Sequence, residues 1–101
     1  MIGLMLVAAT VLQPPKALVQ YGFYGGVSCS NAWKPKFRQN AETYALGVWS
    51  GMNLAGSPRV GHSIPQYDAL DKIKAECSAK PTELLTNAIL HVYYTTRRQG
   101  L

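Results

Sequence analysis

The sequence is short of acid, of cysteine and of histidine. Five Asp and Glu face ten Lys and Arg for a formal charge of +5, and there are only two cysteines and two histidines in 101 residues. Cys29, Cys77, His62 and His91 stand far apart, without the close ligand spacing of a zinc site, so neither a metal nor another cofactor is expected. A nucleophile needs a base within hydrogen-bond reach and a group that orients the base. No Gly-x-Ser-x-Gly, thioredoxin-like cysteine pair or phosphate-cradling loop occurs. Asp68, Asp71 and Glu76 fall on one helix, while Glu42 and Glu83 read as exposed. A paired-carboxylate hydrolase is therefore unsupported, and the chain is not expected to be an enzyme.

Long apolar runs are scarce too. The opening MIGLMLVAATVL rises about 18 Å as a helix, short of the roughly 30 Å hydrocarbon layer, so no stable membrane span is expected. It has the length of the apolar region of a secretory signal peptide over residues 1–17, cleaved near Ala17, with a buried first helix as the alternative.

What remains, 48% hydrophobic and 15% charged overall, is globular and sized for a single domain over 18–101. A domain this small buries only about two thirds of the surface its unfolded chain exposes. An even cysteine count in a short exported chain points to a bridge, worth about 4 kcal/mol for a loop of this length on the chain-entropy model. The expected location is periplasmic or secreted. Basic residues gather at Lys34 to Arg38 and at Arg97 and Arg98. Nucleic acid would call for a longer basic stripe with interleaved aromatics and is not an expected partner. An acidic protein or an anionic envelope surface is.

Gly25 and Gly26 make Leu18 to Ser30 an extended or looped piece, and NAWKPKF allows one short helical turn stopped near Lys34 by Pro35. Ala41, Tyr44, Ala45, Val48, Trp49 and Met52 then form one helical face between Gln39 and Leu54, with Asn40 as the expected cap and Gly56 as the stop. Beside that face, Gly47, Gly51 and Ala55 form a smooth strip. Glycine within a helix costs about 1 kcal/mol, so the strip is expected to pack against a neighbouring helix or the Cys29 segment; the alternative is a contact between subunits of a homodimer. Ser63 to Gln66 has the form of a capping box, followed by a buried side of Ala69, Leu70, Ile73 and Cys77. Pro81 is expected to open a last helix with Leu84, Leu85, Ala88, Ile89 and Val92 inward. On its other side Asn87, His91, Tyr94 and Arg98 align as a candidate partner-binding surface, or as an ordinary solvated face. The fold class is all-α: three main helices and a short N-terminal helical turn, with one disulfide.

The stretches YGGVSC, YALGVWSGMN, KIKAEC and AKPTELLTNAIL, running from about Tyr24 to Val92, give the chain a resemblance to a group of small exported helical proteins of Gram-negative bacteria. This group includes the acid-stress chaperone HdeA and the Tai-type immunity proteins. The resemblance implies a Cys29–Cys77 bridge and action by protein contact. Two functions follow from it as expectations: an immunity- or inhibitor-like module that blocks a partner through a helical surface, or a periplasmic chaperone that exposes apolar faces to unfolding clients in acid.

Overall fold

The computed structural model describes residues 26–56 and 59–101. The expected leader, and residues 18–25 of the Gly- and Tyr-rich piece, lie outside the described residues. The described chain is all-α: α1 (Cys29–Ala32), α2 (Arg38–Gly56), α3 (Gln66–Ala79) and α4 (Leu85–Arg98). No helix among the described residues is long and apolar enough to cross a membrane.

Each long helix starts somewhere other than its local signal indicates. Pro35 disfavours helix at Lys34, and the chain recovers through a turn in which Phe37 N–H donates to the Lys34 carbonyl at 2.8 Å. The Phe37 carbonyl then accepts from Ala41 N–H at 3.0 Å, so α2 is under way before Asn40, which lies inside it rather than capping it. Ser63 does not cap α3 either. The helix begins at Gln66, Pro65 is its N-cap, and no side chain bonds the free amides there. Pro81 likewise stands outside α4. Its carbonyl accepts from Ser30 N–H at 3.0 Å, the Glu83 carbonyl from Cys29 N–H at 2.7 Å, and Leu85 N–H donates to the Val27 carbonyl at 2.9 Å. Residues 81–84 thus run antiparallel to the chain before α1, with a β-bridge between Ser28 and Leu84, and α4 starts only at Leu85.

The buried faces follow the sequence periodicity closely. Ala41, Ala45 and Trp49 come from α2, Ala69, Leu70, Ile73 and Cys77 from α3, and Leu85, Ala88, Ile89, Val92 and Tyr93 from α4. Leu84 is the exception: it lies outside the helix and is exposed. The inward side of α4 ends on a polar group, Thr96, whose hydroxyl donates to the Val92 carbonyl at 2.8 Å, so its burial leaves no orphan hydroxyl. α3 and α4 each pack against all three other helices, and most extensively against each other. Tyr44 meets Thr86 at 2.9 Å, and farther along Tyr93 meets Asn53 at 2.7 Å, so α2 and α4 run parallel.

Candidate functional site

Cys29 and Cys77 are joined, with Cα atoms 5.0 Å apart, and both are buried. The bridge ties α1 to the last turn of α3, and no free thiol is left.

The α4 stripe lies on the solvent side, where Asn87, His91, Tyr94 and Arg98 are all exposed, but its members have different neighbours. His91 leans to α3 and donates from Nδ1 to the Glu76 carboxylate at 2.9 Å. Arg98 Nη2 donates to Thr95 Oγ1 at 3.1 Å. Tyr94 leans the other way, edge-on to Tyr93 with ring centroids 5.5 Å apart, and lines a shallow hollow of about 190 Å³ with Met52, Ala55 and Arg97. The hollow therefore brings Ala55 of the α2 strip beside Tyr94 of the α4 stripe.

Internal packing of the glycine strip is not found among the described residues. Gly47 and Gly51 are exposed, and a methyl group on either would meet nothing within 4 Å. Each lies two residues from Trp49, about 200° around the helix from the side that is buried. The strip is an open surface.

Sequence reasoning missed an acidic cluster at the α3–α4 junction. Glu76, on the last turn but one of α3, is 2.9 Å from His91 and 3.5 Å from Lys80. The carboxyl of Glu83 is hydrogen-bonded to Glu76, while its own Oε1 is buried with no partner. The bond from His91 holds the Glu76 carboxyl below the ordinary glutamate range against partial burial; the Glu83 bond and the charges of His91 and Lys80 act with it. Burial pushes Glu83 up, and its bond to Glu76 adds to the rise. The two carboxyls are thus displaced in opposite directions, Glu76 down and Glu83 up. The two residues are seven apart, but α3 ends at Ala79 and Pro81 lies between them, so no single helix relates them.

A second network closes the opposite end. Asn53 Nδ2 donates to the Val60 carbonyl at 3.0 Å, and its Oδ1 accepts from Val60 N–H at 3.2 Å and from Tyr93 Oη at 2.7 Å. Trp49 Nε1 donates to the same carbonyl at 2.8 Å. Burial raises the Tyr93 phenol above its ordinary value, which keeps it a donor. Gly61, at φ +93°, turns the chain against the face of Trp49, and its N–H donates to the carbonyl of Leu101 at 3.1 Å. The signal for this latch was present in the sequence, since Trp49 and Asn53 stand at i and i+4 on one helix face. The latch forms one wall of a groove of about 500 Å³ between α2 and the start of α3.

No protein-family model, curated protein or solved structure matches the chain. Its own geometry is what bears on function. Among the described residues, no group of three or more His, Cys, Asp or Glu is arranged to hold a metal ion.

Proposed function

We infer that this chain is an exported, non-enzymatic protein-binding module of immunity or inhibitor type, working in the periplasm or outside the cell through the solvent face of α4. The observation that carries the reading is Tyr94. It is 41% exposed, packs edge-on against buried Tyr93, lines a hollow with Met52, Ala55 and Arg97, and has Arg98 one turn farther along α4. A rigid aromatic among guanidinium groups is the side-chain combination most enriched among residues that dominate binding energy. A bridged helical frame keeps such a surface in shape at small cost in ordering. The module binds a protein, takes no cofactor and performs no chemistry. The open Gly47, Gly51 and Ala55 strip next to Tyr94 is where a second subunit would approach. The test is capture from envelope extract with the oxidised chain. One stoichiometric partner, lost on Tyr94→Ala and weakened by Arg98→Glu, is expected; promiscuous capture that ignores both substitutions would refute the reading.

A second reading, an acid-stress chaperone, is favoured by the Glu76–Glu83–His91 cluster at the α3–α4 junction, in which the two carboxyls are displaced from the ordinary glutamate range in opposite directions. It requires apolar dye binding and client protection to appear between about pH 7 and about pH 2. A chain that keeps its fold over that range and protects no client is not a chaperone.

A further inference from the structure

The groove behind the Asn53 latch points to a second binding site, which shares no lining residue with the hollow at Tyr94. About 500 Å³ lies between the later half of α2, residues 59–64 and the first turn of α3, within the roughly 300–1,000 Å³ of ligand clefts. Its floor is apolar, formed by Trp49 and Ile64, and on its rim stands Leu54, 87% exposed and the most exposed large apolar side chain of the described residues. Burial of such a side chain by a partner is favourable.

The charge at the rim has one sign. Arg59 and His62 line the groove and no Asp or Glu does. Arg59, like the other described Lys and Arg side chains apart from Lys74 and Lys80, has no carboxylate within ion-pair distance among the described residues. The carbonyl of Arg59 can only accept, so His62 donates to it from Nδ1 at 2.8 Å. Nε2 is then the acceptor of the ring and suits a donor, not a carboxylate. The wall is set before any ligand arrives, because Asn53, Trp49 and the Leu101 carbonyl fix residues 60 and 61 in place. A preformed wall lowers the cost of binding.

We propose that this groove docks an acidic, apolar segment of a partner protein, with an apolar side chain set against Trp49 and Ile64 beside Leu54, and a carboxylate paired with Arg59.

The probes are a short peptide of Leu, Phe and Glu, a matched peptide with Lys for Glu, and one with Ser for Leu and Phe. Each is titrated into the full oxidised chain and followed by the Trp49 indole N–H signal in NMR. Saturable binding of the first peptide alone is expected, with the largest shifts at Trp49, Gly61 and Ile64. Arg59→Glu should weaken it about tenfold or more and move the preference to the Lys peptide, while Tyr94→Ala should leave it unchanged. Equal binding of the Glu and Lys peptides, indifference to Arg59→Glu, or shifts confined to α4 would each overturn the proposal. So would Trp49 shifts that follow protein concentration without peptide, which would mark a self-contact, or shifts given by an anionic detergent and not by peptide, which would mark a lipid site. Because the Tyr94 face lies elsewhere, loss of the α4 reading leaves this result standing, and the reverse holds.

Discussion

The side-chain amide of Asn53 and the backbone of Val60 bond each other in both directions, Nδ2 to the Val60 carbonyl at 3.0 Å and Val60 N–H to Oδ1 at 3.2 Å. A helix thereby holds the loop that follows it as a neighbouring strand would. Asn53→Ala removes this pairing and strands the buried Tyr93 hydroxyl. The expected loss is about 2–4 kcal/mol, from net bonds of about 1 kcal/mol each and an orphaned donor. Urea unfolding of the variant checks it, with Tyr93→Phe losing less, because Val60 and Asn53 remain paired.

Gly61→Ala is expected to destabilise twice over. The backbone at φ +93° disfavours any side chain, and the new methyl would sit 3.1 Å from Trp49 Nε1 and 3.3 Å from Cζ2. A loss of about 1–3 kcal/mol should follow, with a changed Trp fluorescence maximum as the ring is displaced. Gly47→Ala, on an open helical surface, should instead raise the thermal midpoint, by up to about 1 kcal/mol of helix propensity.

Cys29→Ser with Cys77→Ser removes a crosslink across a sequence separation of 48. The chain-entropy model puts the loss at about 4 kcal/mol, close to the whole stability of a small domain. Circular dichroism of the double variant, or of the wild type under dithiothreitol, should show a chain largely unfolded at 37 °C or at its margin.

The carboxyl pair predicts opposite slopes of stability with pH. Glu76 is depressed in the folded state, so its contribution is present above the ordinary glutamate value and lost as pH falls through its lowered one. Glu83 is raised, so its contribution is complete below the ordinary value and lost as pH rises through its elevated one. Together they favour the fold most at about pH 4–5, near the ordinary glutamate pKa. Glu83→Gln should therefore raise the thermal midpoint at pH 7 relative to wild type and lose that advantage by pH 4, whereas Glu76→Gln should lower it at pH 7. Because His91 is half exposed, the Glu76 effect should stay at about 1 kcal/mol.

Tyr94→Ala separates binding from folding. The ring is only edge-packed on Tyr93, so unfolding should shift by no more than about 1 kcal/mol, while partner capture should fall by 2 kcal/mol or more in affinity, about thirtyfold. Equal losses in both measurements would assign Tyr94 to the core.

The number of helices, their buried faces and the crosslink were legible in the sequence. Ala69, Leu70, Ile73 and Cys77 repeat at helical spacing, and so do Leu85, Ala88, Ile89 and Val92; burial of an amphipathic face needs no knowledge of what covers it. With only two cysteines in the sequence, a bridge has one possible pairing. The stripe on α4 was legible as a stripe, but its division between His91, bound to Glu76, and Tyr94, set beside Ala55, depends on which helix lies on each side.

The α2 start was misread because a local turn at Lys34 to Phe37 opens the helix before Asn40, and the other two starts lie where distant segments hold the preceding residues. Leu85 opens α4 instead of Pro81 because the bridge to Ser28 occupies residues 81–84, and Ser63 caps nothing because Asn53 and Trp49 draw residue 60 toward α2. The same holds for the Glu76–Glu83 pair and for the groove. Sequence determined what each segment buries, since that follows from spacing along one helix. Only the tertiary structure decided which polar groups meet, since a hydrogen bond is set by distances of about 3 Å between parts of the chain that no local pattern relates.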